Sequence, residues 1–260
     1  MSEIELYISA SRTPGQFGAT VFNELFRRHN ISALYEPKKF ENAAVLMQLL
    51  RTRPVQGCGV SHPLKRDVVP HLDELDEVAR KLNSVNTICR MGTNLKGYNT
   101  DWLGAKLALL PHAFSSVRIL GAGGVVPALL YALEQRSISD IEIVCRDKTK
   151  AEEFQNSAQI CSFNEKPSKK DLLINALPLL ATDNNSTLDG YISFSNTVFD
   201  LSVATSPTAY VREARKQHKV VIEGYEMAVY QLIEQFRIYR RQNLPAEEVF
   251  SIVRELYLTK

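Results

Sequence analysis

Three observations predict an α/β protein with two domains. A β-branched run ends at Gly121 and is followed by a glycine-rich turn and an apolar helical pattern. Strand and helix patterns alternate on both sides of that turn, as in parallel sheets covered by helices. The chain has 260 residues, enough for two moderate domains. We therefore expect an N-terminal α/β domain followed by a Rossmann-type dinucleotide-binding domain.

The first hundred residues show a β-α-β-α-β order without a glycine fingerprint. The alternating strand and helix patterns cover residues 3–10, 16–29, 31–35, 41–50 and 55–60. Residues 67–84 are predicted to be mostly helical, and 85–90 and 94–98 to form a hairpin across Met91-Gly-Thr93. This domain is interpreted as a platform for a ligand other than a nucleotide.

Regular alternation continues beyond the glycine turn. Strands are predicted at 117–120, 141–145, 171–176, 198–200 and 220–222, with helices at 125–135 and 150–158. From Tyr225 the pattern changes to a long helix, and a last helix begins at Pro245. Both helices are assigned to the first domain, so the predicted domains are 1–101 with 225–260, and 102–224.

Composition excludes several classes of partner. The net charge of +2, without a basic stripe, argues against nucleic acid, and no apolar run approaches the ~20 residues of a membrane span. The four cysteines lie far apart and the histidines show no metal-type spacing, so no metal site is predicted. We expect a cytoplasmic monomer or homodimer with reduced thiols and a small-molecule substrate.

The turn Gly121-Ala-Gly-Gly124, with Val125 after it, is the predicted cofactor-binding element. Glycines let the backbone turn sharply and approach a pyrophosphate without an obstructing side chain. The helix N-terminus that follows offers unpaired N–H groups and a partial positive charge to the anion. By itself such a turn also serves as a plain strand-to-helix connection.

Polar residues follow three predicted strands, in Ser11-Arg-Thr-Pro14, Ser61-His-Pro-Leu-Lys65 and Tyr98-Asn-Thr-Asp101. In open α/β sheets the carboxyl ends of strands face the binding crevice. Their hydroxyls, amides, amine and carboxylate suit a polyhydroxy acid. A lysine beside a carboxylate can act in proton transfer, although spacing alone favours a surface salt bridge without a role.

Six motifs occur in a fixed order along the chain. They are Ser11-Arg-Thr-Pro14, Gly59-Val-Ser-His-Pro-Leu-Lys65, Ser84-Val-Asn-Thr87, Gly97-Tyr-Asn-Thr-Asp101, Gly121-Ala-Gly-Gly124 and Gly224-Tyr-Glu-Met-Ala-Val-Tyr-Gln231. Together they resemble the shikimate dehydrogenase family nearly from end to end. Several independent motifs in order are far more specific than any one of them.

The resemblance implies a role for particular residues. Lys65 and Asp101 would be the catalytic pair of a reversible, NADPH-dependent reduction of 3-dehydroshikimate to shikimate, a step of aromatic amino acid biosynthesis by the chorismate pathway. The resemblance further implies substrate-carboxylate binding by Ser11 and Thr13, ring-hydroxyl binding by Ser61, Asn86 and Gln231, and cofactor binding by Gly121, Ala122, Gly123, Gly124, Val125 and Gly224.

The cofactor is predicted to be NADP, with NAD possible. An NAD enzyme usually carries a carboxylate at the strand end about 20 residues past the glycine turn. Here that segment reads Val144-Cys-Arg-Asp-Lys-Thr-Lys150, and Arg146 and Lys150 resemble the family's cations for a 2′-phosphate. Asp147 adds a negative charge near these cations. An acidic residue is also common in the first turn of a helix, and this would equally explain its presence.

The chain departs from the family pattern in several places. Thr13 replaces a serine, Gly59 replaces an asparagine, and Val203 replaces a tyrosine that normally nears the substrate. These changes resemble the divergent, shikimate-dehydrogenase-like branch. Alternatives are therefore a paralogue that uses quinate, another ring acid or NAD, and a non-catalytic ligand-binding relative. The retained Lys65 and Asp101 argue against the last alternative.

Overall fold

The protein was analysed as a computed structural model, which describes residues 4–177 and 186–258, and of 186–189 only the backbone. The chain divides into two compact units, Met1–Asp101 with Gln231–Lys260, and Trp102–Tyr230. The second boundary thus follows Tyr230, later than the predicted boundary at 224/225. Met227 and Tyr230 account for this difference, because both pack in the core of the second unit.

Helices and strands alternate along much of the described chain. In chain order they are β1 (Glu5–Ser11), α1 (Phe17–Arg28), β2 (Ala33–Lys39), α2 (Ala43–Thr52), β3 (Val55–Val60), β4 (Glu74–Leu75), α3 (Glu77–Leu82), β5 (Thr87–Met91), β6 (Asn94–Tyr98), α4 (Asp101–Leu109), β7 (Ser116–Leu120), α5 (Val126–Glu134), β8 (Asp140–Cys145), β9 (Gln159–Ser162), β10 (Lys170–Asn175), α6 (Ser186–Ser193), β11 (Ser195–Asp200), α7 (Ala209–Lys216), β12 (Val220–Glu223), α8 (Gly224–Arg240) and α9 (Ala246–Leu256). Short 3₁₀ helices cover Val69–His71 and Lys148–Phe154. The predicted α/β fold is confirmed.

The first unit contains a mixed sheet with the strand order β2-β1-β3-β5-β6-β4. The pairs β1·β2, β1·β3 and β4·β6 are parallel, whereas β5 runs antiparallel to β3 and β6. The carboxyl ends of β1, β3 and β6 therefore lie at one edge, where β5 begins. One face packs an aliphatic core that includes Ile8, Leu46 and Cys58. The other face packs aromatic side chains, among them Phe22 and Phe236.

The second unit contains a parallel sheet with the order β12-β11-β10-β7-β8-β9. Strand order reverses between β7 and β10, which is the arrangement of a doubly wound dinucleotide-binding fold. Alternate residues of β7 point to opposite faces, with Ile119 in one apolar cluster and Leu120 in another. Both faces are thus covered, and the buried strands read as apolar runs.

Two helical predictions were wrong. Residues 67–84 contain only the 3₁₀ turn, β4 and α3, because Asp73 Oδ2 accepts the backbone N–H of Leu95 at 2.7 Å and fixes this stretch against β6. Helix α3 begins where the Asp76 carboxylate caps the N–H of Ala79 at 2.8 Å. The predicted helix 150–158 is instead the 3₁₀ helix Lys148–Phe154, followed by the unpredicted edge strand β9.

Three simpler expectations concern the whole chain. In the described ranges no helix is long and apolar enough to cross a membrane. No group of three or more metal-type side chains occurs among the same residues. All four cysteines are buried and unpaired.

The predicted strand 3–10 is β1, and its first residue, Glu3, lies outside the described residues.

Candidate active site

The sheet edge of the first unit brings together the ends of β1, β3 and β6. Ala10 and Val60 are paired in register, so Ser11, the last residue of β1, and Ser61, which follows β3, lie side by side. The N–H of Ser61 donates to the carbonyl of Ala10 at 2.9 Å. Asn86 joins them because its carbonyl accepts from Val60 N–H at 2.7 Å and its N–H donates to Tyr98 at 3.0 Å.

Lys65 and Asp101 form an ion pair at this edge. Lys65 Nζ donates to Asp101 Oδ2 at 2.6 Å, and the two side chains are only 14% and 9% exposed. The loop is fixed on both sides of the lysine, since Leu64 is fully buried and the Lys65 carbonyl accepts from Val85 N–H at 2.8 Å. Asp101 is the first residue of α4, where the helix dipole favours a negative charge.

The buried amide of Asn86 holds the other side of the Asp101 carboxylate. Its Oδ1 accepts the backbone N–H of Thr100 at 2.7 Å, and this donor fixes which way the amide faces. Its Nδ2 consequently lies 2.9 Å from Asp101 Oδ1 and 3.2 Å from Gln231 Oε1. Asp101 thus has an amide on one oxygen and an ammonium on the other.

The remaining predicted substrate ligands differ in environment. The Ser11 hydroxyl oxygen is buried and has no hydrogen-bond partner among the described residues. Thr13 and Ser61 are exposed in the loops after β1 and β3. Gln231, on α8, is half-buried, and its Oε1 is occupied by Asn86 and Thr100, which leaves Nε2 as its donor. These side chains supply hydroxyl and amide groups in the same unit as Lys65.

The predicted cofactor turn lies at the carboxyl end of β7 in the second unit. Gly121 has φ +103°, which favours glycine, and an added Cβ would lie 3.1 Å from Leu177 Cδ2. Among the described residues, an added Cβ at Gly123 or Gly124 would meet nothing within 4 Å. The fold itself therefore does not require glycine at these two positions. In the described chain, the N–H groups of residues 122–125 have no hydrogen-bond acceptor. This open, N–H-lined turn before α5 fits a pyrophosphate.

The segment after β8 carries the predicted 2′-phosphate ligands. Arg146 and Lys150 are both exposed. Asp147 caps the following 3₁₀ helix, because its Oδ1 accepts from Thr149 Oγ1 at 2.6 Å and from Thr149 N–H at 3.1 Å. These hydrogen bonds hold the pKa of Asp147 below its ordinary value. Its carboxylate is therefore occupied by a local cap, which is the alternative considered for this residue from the sequence.

Glycines 59 and 224 are required by close packing. An added Cβ at Gly224 would lie 2.5–2.6 Å from backbone atoms of Leu201 and Ser202, so β12 turns into α8 directly against the end of β11. At Gly59, an added Cβ would lie 2.6 Å from Tyr35 Oη. Complete burial raises the pKa of Tyr35, so this hydroxyl stays neutral. The tyrosine hydroxyl fills space beside a position where the family carries an asparagine.

Three residues around Asn86 had no role in the sequence-based prediction. Thr87, Thr100 and Gln235 are buried and form hydrogen bonds with Asn86. The two threonines belong to motifs whose other members were chosen as ligands. Gln235 lies one helical turn after Gln231, and this spacing was the available signal that both amides share one face of α8.

Comparison with known proteins identifies the family. The protein-family model for the shikimate dehydrogenase substrate binding domain matches residues 8–88. A shikimate dehydrogenase (NADP(+)) from Maridesulfovibrio salexigens is 31% identical over 249 residues, which cover 90% of this chain and 89% of the relative. The chain belongs to the shikimate dehydrogenase family. A shikimate dehydrogenase-like protein from Haemophilus influenzae is 25% identical over 258 residues, or 96% and 95% of the two chains.

Solved structures show the same fold. Shikimate dehydrogenase 1 from Peptoclostridium difficile superposes with a TM-score of 0.87, at 22% identity and with 98% of each chain covered. At 22% identity, this structural similarity shows that the two chains share a fold. The predicted family membership is confirmed.

Proposed function

We propose that the protein is an NADP-dependent dehydrogenase that reversibly reduces 3-dehydroshikimate to shikimate. The observation that carries this proposal is the Lys65–Asp101 pair at 2.6 Å, with Asn86 on the second carboxylate oxygen. Membership of the shikimate dehydrogenase family supports the substrate class. The open glycine turn and its free N–H groups support a dinucleotide cofactor.

In this mechanism Lys65 acts as the general acid. When bound, NADPH would supply the hydride for the carbonyl carbon of the substrate. The Lys65 ammonium gives its proton to the carbonyl oxygen as negative charge develops there, and it recovers a proton from solvent after turnover. Asp101 orients the ammonium through its Oδ2 and accepts a hydrogen bond from the neighbouring substrate hydroxyl. In the reverse direction the neutral lysine removes the hydroxyl proton.

The other polar residues bind the substrate in this proposal. Ser11 offers a buried hydroxyl without a partner to the substrate carboxylate, and Thr13 adds a second hydroxyl. Ser61, Asn86 and Gln231 bind ring hydroxyls. Gln231 binds through Nε2, because its Oε1 already accepts from Asn86. The buried Ser11 hydroxyl, which has no partner among the described residues, makes binding selective for a ligand that supplies one.

One assay tests the proposed function. The absorbance of reduced nicotinamide is followed with shikimate and with quinate, each with NADP and with NAD. We expect the highest kcat/KM with shikimate and NADP. Faster turnover of quinate would support the second candidate, a paralogue that uses quinate. The exposed Val203 favours this candidate, because it replaces a tyrosine that normally nears the substrate. Ligand-induced thermal stabilisation without turnover would identify a binding protein and contradict the proposed activity.

Gly123→Ala is expected to separate cofactor binding from folding. The added methyl meets open space, so the free energy of unfolding should change by less than about 0.5 kcal/mol. The KM for NADPH should rise at least about tenfold, because the methyl stands where the pyrophosphate approaches. Thermal unfolding and initial rates measure the two effects. An unchanged KM for NADPH would show that the glycine turn does not bind the cofactor.

Arg146→Ala and Lys150→Ala are each expected to weaken the binding of NADPH but not that of NADH. Each loses a charged hydrogen bond to the 2′-phosphate, so KM for NADPH should rise about tenfold while that for NADH stays unchanged. Lys148→Ala is the matched control, because this neighbouring exposed cation pairs with Glu165 at 2.7 Å. Comparable wild-type turnover with both cofactors, or an equal effect of the control, would contradict the assignment.

A further inference from the structure

Gln235 is a buried polar residue that the proposed mechanism does not use. It is 5% exposed on α8, and its Nε2 donates to Thr87 Oγ1 at 3.0 Å and lies 3.3 Å from the carbonyl oxygen of Asn86. A carbonyl can only accept, so the nitrogen of the Gln235 amide must face it. The contact therefore fixes the orientation of this amide without reference to any ligand.

The Gln235 amide lies beside Gly59 of β3. An added Cβ at Gly59 would lie 3.7 Å from Gln235 Nε2 and 4.0 Å from its Oε1. Gly59 and Thr87 are register partners on β3 and β5. The amide beside Thr87 is supplied by α8.

Hydrogen-bond directions follow from Gln235 in sequence. Thr87 Oγ1 accepts from Gln235 Nε2 and donates its only hydrogen to Asn86 Oδ1 at 2.9 Å, which is much nearer than Thr100 Oγ1 at 3.5 Å. Thr100 N–H donates to the same Oδ1 at 2.7 Å. With its oxygen held by two donors, Asn86 presents Nδ2 to Asp101 Oδ1 at 2.9 Å. Each link is between buried groups, where hydrogen bonds strengthen one another.

We infer that Gln235 and Thr87 are positioning residues that act through Asn86 on the Asp101 carboxylate. This inference rests on the proposed function, since it gives the relay a catalytic consequence. The relay keeps one oxygen of Asp101 on the Asn86 amide, so the other remains directed at Lys65. Without the Thr87 hydrogen, the Thr100 N–H still fixes which way the Asn86 amide faces, but Asn86 Oδ1 loses a second buried donor and the amide holds Asp101 Oδ1 less rigidly.

Four variants test the relay in the full-length protein. Thr87→Val and Gln235→Leu should each lower kcat about tenfold, in line with the sensitivity of catalysis to misplacement. The double variant should be no slower than either single variant, because both break one relay. Thr87→Ser keeps the hydroxyl and should restore kcat to within about twofold of wild type. Asn42→Ala removes the α2 cap elsewhere in the same unit and should lower Tm without changing kcat.

An activity-independent readout separates this inference from the proposed function. The side-chain NH₂ signals of Asn86 in a ¹H–¹⁵N spectrum, assigned from Asn86→Asp, should shift in Thr87→Val and in Gln235→Leu but not in Asn42→Ala. Unmoved signals would overturn the relay whether or not the wild type turns over shikimate. Additive losses of kcat, or failure of Thr87→Ser to rescue, would also overturn it. Absence of wild-type turnover with shifted signals would overturn the proposed function alone.

Discussion

Replacing Lys65 with methionine is expected to lower kcat by about 10²–10⁴-fold, which is the range for losing a general acid. Methionine keeps the length and most of the volume of the lysine stem, so the loop after β3 stays packed on the buried Leu64. The proton for the substrate oxygen then has no donor at this position. Initial rates with shikimate and NADP, and with 3-dehydroshikimate and NADPH, measure the effect in both directions.

Binding and a control variant complete this test. Shikimate should still raise Tm in Lys65→Met, because the hydroxyl and amide ligands remain. Lys96→Met is the matched control, since Lys96 lies in the same unit and pairs with Glu74 at 3.3 Å on the surface. Turnover of the control should match the wild type. If Lys65→Met kept full activity, the proton-donor role would be excluded.

Gly224→Ala is expected to cause the largest loss of stability. The new methyl would lie 2.5–2.6 Å from backbone atoms of Leu201 and Ser202, which cannot rotate away as a side chain can. Either β11 or the start of α8 has to move, at a cost of about 3 kcal/mol or more. For a chain of this size, a loss of that order lowers Tm by roughly 6–12 °C.

Gly190→Ala provides the control for this effect. Gly190 lies in α6 of the same unit, and an added Cβ there meets nothing within 4 Å in the part of the chain that the structure describes. Alanine favours a helix over glycine by about 1 kcal/mol, so Tm should stay equal or rise. Thermal and urea unfolding give the comparison. A Gly224→Ala protein as stable as Gly190→Ala would show that β11 and α8 are not held as closely as described.

Local sequence patterns predicted the elements whose rules are local. The strand predicted at 117–120 is β7, and the glycine turn and α5 follow it as expected, because steric rules for tight turns operate over a few residues. The predicted hairpin is likewise β5 and β6. In contrast, residues 67–84 depend on Asp73 contacting Leu95 and Arg51, and no periodicity within the segment reports those partners.

Buried polar partners were harder to predict than the ion pair. Lys65 and Asp101 lie in the segments that follow two predicted strands, so sheet geometry places them at one edge, and the resemblance to the family then singled them out. Gln235 lies 148 residues from Thr87, and a glutamine in a helix is unremarkable until the fold brings the two together. Arg118 is similar, because this fully buried cation on β7 is neutralised by Glu142 across the sheet register at 2.7–2.9 Å.

The unit that holds Lys65 and Asp101 is made from two stretches of chain, with the whole second unit between them. A ribosome therefore delivers the complete parallel sheet before it delivers Gln231 and Gln235. Domains generally fold as units during synthesis. The second unit can therefore fold before Gln231 and Gln235 are available to form hydrogen bonds with Asn86. The hydrogen bonds around Asn86 and Asp101 are completed only when the C-terminal helices emerge, so the proposed site is assembled late in synthesis.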